Sequence, residues 1–211
     1  MTASTHDANQ AILVGRSSSH FTRLTRIFAA ELGVPYSFRV VRDLLDREQT
    51  TYAGNPALKV PILVLDGQSL FGSLNICRRL AQLSPSVSIE WPEDLTALDD
   101  RNACEVVVQA MATEVSQIMA SRGGVDPASP YSTKLEESLL GSLQWLESYL
   151  ARRPTTQPPR NLRFLDVSLF CLVSHLTFRD AIDAARFPLL QRFMEAFSTR
   201  ESAKATEYRY D

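Results

Sequence analysis

The chain has 211 residues, 45% hydrophobic and 22% charged, the balance of a globular protein large enough to bury a core without staples. Its formal net charge of −2 and the lack of any polybasic run point away from nucleic acid and membrane surfaces as partners. The opening MTASTHDANQ has no apolar h-region and no long apolar run follows, so neither a signal peptide nor a transmembrane helix is expected.

In chain order, AILVG (residues 11–15) reads as a short buried strand. An amphipathic helix follows RSSSHF, with Phe21, Leu24, Ile27, Phe28 and Leu32 at three- and four-residue steps. Gly33 stops it, with Pro35 just beyond. YSFRVV (36–41) is a second strand, and the polar stretch 43–53 is weakly patterned, read as a short helix. A strand, helix and strand in this order predict parallel pairing.

PILVL (61–65) is the third strand, Asp66-Gly67 a hairpin turn and QSLF (68–71) the returning strand. Ser73 is the expected cap of a helix with Leu74, Cys77, Leu80, Ala81 and Leu83 on its apolar face. SPSVSIEWPE (84–93) reads as a linker. No strand is expected beyond it.

Helical periodicity runs through 94–120 (Leu95, Leu98, Val107, Met111, Val115, Ile118) and again through 131–151 (Leu135, Leu139, Leu143, Leu146, Leu150). Gly123-Gly124, Pro127 and Pro130 separate the two, and RRPTTQPPR (152–160) is a loop. RFLDVSLFCLVSHLTF (163–178) is apolar almost all round, as a helix inside a core must be. Pro188 opens a last helix, and the polar tail after it reads as loose. The expected domains are 10–83, a linker 84–93 and an all-helical 94–211. Cys77, Cys104 and Cys171 are odd in number, far apart and inside helical patterns. They form neither a disulfide framework nor a zinc pattern, so no metal is expected, and a reducing, cytoplasmic location fits them.

Pro61 stands at the start of a central strand, where it cannot donate to the ladder. A cis Val60–Pro61 bond would turn the preceding backbone towards a ligand. The motifs GRSSSHFTRLTRIFAAELGVPY, NPALKVPILVLDG, FGSLNICRRLA, LRFLDVSLFCLVSHLTFRD and FSTRESAKATE, in this order and spacing, resemble the cytosolic glutathione transferases over roughly residues 11–206. The last two look most like the small bacterial transferase-like proteins of the YibF type. The resemblance implies an α/β thioredoxin-like first domain (βαβαββα) followed by an all-α domain.

It also implies a site. The family carries its catalytic Ser, Tyr or Cys at the start of the first helix, a position that Ser19 occupies, with Ser17 and Ser18 as alternates. A hydroxyl donor and the positive end of a helix stabilise a thiolate whose free thiol titrates near roughly 8.5. The ordinary reading of a Ser before a helix is an N-cap.

The resemblance implies that the Val60 backbone, flanked by Lys59 and Pro61, pairs with the cysteinyl part of glutathione like an added strand. Ser73 would hold the γ-glutamyl carboxylate at a helix N-terminus. Relatives carry Glu, Gln or Asp before that serine for the ammonium group, and here the position is Gly72. Asp99, Asp100 or Glu105 of a second subunit are candidate substitutes.

Val108, Met111 and Val115 would line an apolar second-substrate pocket between the halves. His20 replaces a proline common in relatives and reads as a partly exposed helix-start residue. Arg16 reads as an exposed arginine beside a strand end, and His175 as a satisfied core histidine. Arg163 breaks the capping box that Asp166 would complete, and Asn161 could substitute as the cap.

The implied function is a homodimeric enzyme that conjugates the glutathione thiolate to a hydrophobic electrophile, as in detoxification, with glutathione as co-substrate. Two alternatives stand beside it. One is a non-catalytic binding or interaction protein of the same fold, favoured by Gly72. The other is a glutathione-dependent thiol–disulfide reductase or peroxidase, disfavoured because no Cys lies between 11 and 30.

Overall fold

A computed structural model describes residues 11–85, 87–153 and 161–211. They divide into two compact units, one running up to Val87 and including Arg200–Asp211, the other spanning Ser88–Thr199. Composition alone places the divide within 84–93 and assigns everything after it to the helices.

The first unit opens with β1 (Ile12–Gly15), α1 (His20–Glu31) and β2 (Ser37–Val40). The two strands pair in parallel, Ile12 against Ser37, as the β-α-β pattern requires. Gly15 is glycine for a steric reason: a Cβ there would lie 2.4 Å from the Thr22 side chain, so α1 can approach the strand only over a bare backbone. Gly33, at φ +65°, closes the helix, with Val34 N–H donating to Ala29 O at 2.9 Å.

β3 (Ile62–Leu65) and β4 (Gln68–Phe71) form the expected hairpin. Asp66 and Gly67 both take positive φ, 51° and 74°, the conformation such a two-residue turn demands. α2 (Ser73–Leu83) follows. The strand order is β2-β1-β3-β4, with β3 antiparallel to β1. Val14, Val41, Tyr52 and Ile62 form a buried cluster on one face of this sheet. Side chains alternate along a strand, so Leu13 and Leu63 go to the other face.

The helix expected within 43–53 does not form; these residues make turns. Asp43 accepts from Leu45 N–H at 2.8 Å and Asp46 from Glu48 N–H at 2.9 Å. Such local side-chain acceptors compete with helical hydrogen bonding. The order is therefore βαβββα within the thioredoxin-like arrangement. The tail is not loose either. It contains α7 (Glu201–Lys204), and Ser202, Ala203 and Thr206 are buried.

The second unit contains α3 (Leu98–Arg122), α4 (Pro130–Arg152), α5 (Phe164–Phe178) and α6 (Pro188–Ser198). α3 and α4 pack along each other, and α5 packs against α3 and α6. α5 is buried along nearly its whole length, as its apolar surface requires. Phe170 stacks on Phe197 with centroids 4.4 Å apart. The Glu147 carboxylate receives the N–H groups of Leu189 and Leu190 at 2.8 and 2.9 Å, satisfying the start of α6.

Two short strands also occur, β5 (Ile89–Glu90) and β6 (Leu162–Arg163), paired in parallel. Neither was legible as a strand, because two residues carry no period. The α5 cap is Arg163, without a side-chain bond, and Asn161 does not replace it. Asp166 instead meets Arg153 at 3.1 Å and Arg163 at 3.8 Å. Burial still pushes the Asp166 carboxyl above its usual range against both guanidiniums. Of RRPTTQPPR, residues 154–160 lie outside the described part of the chain. Among the described residues, no helix is long and apolar enough to cross a membrane.

Candidate functional site

The sheet register gathers the sequence-predicted residues of the first unit at one end. Ile62 pairs with Val14 on one side and with Phe71 on the other. Continuing that register one step brings Gly15, Pro61 and Gly72 abreast, with the Arg16–Ser19 turn, Val60 and Ser73 just past them. Two helix N-termini, of α1 and α2, begin at this end, and helix starts carry unpaired N–H groups and partial positive charge.

In the first turn, Ser19 is the N-cap of α1, and its hydroxyl accepts from Thr22 N–H at 3.3 Å. Ser18 is half-buried, and its hydroxyl accepts from Arg16 Nε at 2.9 Å. Arg16 is buried, contrary to the exposed arginine expected, because its guanidinium also donates to the Arg42 carbonyl. Ser17 is 1% exposed, and its N–H donates to the Asp211 carboxylate at 2.6 Å. His20 is buried rather than partly exposed, with its ring 4.7 Å from that of Phe21.

On the strand side, the Val60–Pro61 bond is cis. Asn55, 5% exposed, donates from Nδ2 to the Lys59 carbonyl at 2.8 Å and accepts from Ala57 N–H at 3.0 Å. That buried amide holds the approach to Val60. Lys59 is exposed and Val60 half-buried.

At α2 the cap is Gly72, not Ser73, which is the first helical residue. Gly72 sits exposed at φ +86°. A Cβ there would meet nothing nearer than Asn75 Nδ2 at 3.8 Å, so the backbone angle, not crowding, favours glycine.

The acids offered in place of a side chain at position 72 already have partners. Asp100 accepts from the Tyr149 hydroxyl at 2.6 Å, Asp99 from Arg152 at 3.0 Å, and Glu105 from Gln109 at 2.7 Å. Burial, with the Asp100 bond, drives the Tyr149 hydroxyl well above its usual range.

The residues expected to line a second-substrate pocket lie on α3 in different settings. Met111 is fully buried, Val108 half-buried and Val115 37% exposed. Met111 therefore offers no surface to a substrate, and its role is packing. A cavity of about 450 Å³ opens within the helical unit, lined among others by Gln117, Leu135, Leu139, Ile182 and Phe187, and not by those three. His175 Nδ1 lies 2.7 Å from Glu114 Oε1, both side chains buried, so the core histidine is satisfied as expected.

Sequence reasoning missed the Arg16–Ser18 bond, the Asn55 hold on Lys59 and the arrival of Asp211. Asn55-Pro56 carries a turn signal. A bond between residues 17 and 211 has none.

Residues 18–83 match the family described as glutathione S-transferase, N-terminal domain. No curated protein matches the chain. Among solved structures, a glutathione S-transferase from Methylobacillus flagellatus, crystallised with GSH bound, is 25% identical, with a TM-score of 0.80 over 95% of this chain and 100% of that one. One from Methylobacterium radiotolerans, in complex with glutathione sulfonate, is 21% identical with a TM-score of 0.80 over 95% and 96%. A glutathione transferase family member from Pseudomonas fluorescens, with bound glutathione, is 20% identical with a TM-score of 0.76 over 95% and 100%. The last two likenesses concern the fold.

Proposed function

We propose that the first unit, whose residues 18–83 match the family described as glutathione S-transferase, N-terminal domain, binds glutathione and presents the thiolate to an apolar electrophile, as a cytoplasmic homodimer. The observation that supports this reading is the register Val14–Ile62–Phe71, which leaves the segments that follow β1, precede β3 and follow β4 at the same end of the sheet.

Each element has a chemical part. The Val60 backbone pairs with the cysteinyl segment in the manner of an added strand. Ser73 and the α2 N-terminus take the γ-glutamyl carboxylate. Ser19 donates its hydroxyl proton towards sulfur while its oxygen still accepts from Thr22 N–H, so the cap and the catalytic role are compatible in one hydroxyl. Ser18 and Ser17 are the alternates.

Calorimetric titration with glutathione tests the reading. Sub-millimolar binding that Ser73→Ala weakens about tenfold, the scale of one charge-assisted hydrogen bond, supports it. No heat at millimolar glutathione sinks it and leaves the second reading, a binding or interaction module of the same fold. Gly72 favours that alternative, since it places no side chain beside the glutathione ammonium.

A further inference from the structure

The segment 200–211 does more than cover α1. Its base is fastened by groups with little exposure. Arg200 grips the Glu31 carboxylate with Nε at 2.8 Å and Nη2 at 2.9 Å, and the Ser202 hydroxyl donates to the same carboxylate. Arg23 Nη2 donates to the Ala203 carbonyl at 3.1 Å, and its guanidinium lies 4.3 Å from the Tyr208 ring centroid. Ser202, Ala203 and Thr206 are buried. The tip differs. Asp211 is exposed, yet its carboxylate takes the N–H of the buried Ser17, two residues before the α1 cap.

We propose that 200–211 is an intramolecular clasp whose Asp211 carboxylate competes with the glutathione thiolate for the Ser17 N–H. This rests on the glutathione reading above. A carboxylate and a thiolate are both anionic acceptors, and one backbone N–H directed at an anion serves one of them well. Like charges brought side by side also repel. The fastened base keeps the carboxylate at a high local concentration. The exposed tip, bonded in competition with water, is weak enough to be displaced. The clasp therefore lowers affinity for thiolate ligands without blocking the Val60 or Ser73 contacts.

The test uses the full chain as wild type, Asp211→Ala and Asp211→Asn, with amide resonances followed by NMR and affinities by calorimetry. Glutathione is titrated against each, and S-methylglutathione, which cannot form a thiolate, in parallel. Without ligand, the Ser17 amide resonance should shift upfield in Asp211→Ala. Glutathione should bind both variants about tenfold tighter than wild type, the scale of one charge-assisted hydrogen bond, while S-methylglutathione binds all three alike. A Ser17 resonance unmoved by Asp211→Ala overturns the clasp. Equal glutathione affinity across the three overturns the competition alone. A moved Ser17 resonance with no binding of either ligand overturns the glutathione reading and the competition with it.

Discussion

Ser19 illustrates how one hydroxyl can serve structure and chemistry together. It accepts from Thr22 N–H as the α1 cap, so its replacement touches both. Ser19→Ala should cost roughly 1 kcal/mol of stability through the lost cap and, if the hydroxyl also holds the thiolate, lower turnover by about a hundredfold. Thermal melts and conjugation assays on one preparation separate the two effects. A full loss of cap stability with unchanged kcat would move the thiol contact to Ser18 or Ser17.

Gly72 poses the opposite problem. Gly72→Glu would supply the acid that relatives use for the ammonium, a gain of roughly 1.5–3 kcal/mol. The φ of +86° would charge about 1–3 kcal/mol against it. The two ranges leave a net gain of at most about 2 kcal/mol, so glutathione affinity should rise by no more than about thirtyfold; a hundredfold rise in titration would show that the backbone relaxes freely.

At the scale of elements, two ties carry most of the testable energetics. Burial pushes the Glu31 carboxyl up, but hydrogen bonds from Arg200 and Ser202 outweigh it and leave it below its ordinary 4.5. A depressed carboxyl contributes stability that is present above the unfolded value and lost as pH falls through the folded one. Stability should thus decline below about pH 4.5, and Glu31→Gln should flatten that part of the curve. Denaturant midpoints of both proteins across pH 3–6 check this, and parallel curves would refute it.

The second tie is the buried Glu114–His175 pair between α3 and α5. Removing one member of such a pair costs about 3–5 kcal/mol, whereas replacing both with apolar groups costs much less. Glu114→Leu should therefore be more destabilising than Glu114→Leu with His175→Phe, measured by urea unfolding. The reverse order would mean that the two side chains are not coupled.

Over the whole molecule, the three thiols are sealed. Cys77 and Cys171 have no exposed surface and Cys104 has 7%. Burial pushes the Cys104 thiol up to about 11, which leaves almost no thiolate at neutral pH. A disulfide reagent should label none of them until the protein unfolds; fast native labelling of Cys104 would contradict its packing. The tail binds the two ends of the first unit's sequence, so a chain ending at Val87 loses the Glu31–Arg200 and Arg23–Ala203 bonds.

Local signals were well suited to part of this architecture. Period, glycine and proline positions determined β1, α1, the Asp66-Gly67 hairpin, the buried α5 and the start of α6, because each depends on residues within one turn or one face of its element. Pro61 and the serines after β1 pointed to the candidate site only through the family resemblance, since by local signals they read as a strand start and a helix cap. Tertiary structure alone decided that 43–53 turns instead of coiling, that Arg16 and His20 are buried, and that Gly72 is the cap of α2. It alone brought Asp211 to Ser17, 194 residues apart. Such choices depend on which partners the fold supplies, and the energy of a contact between distant residues leaves no period in the chain.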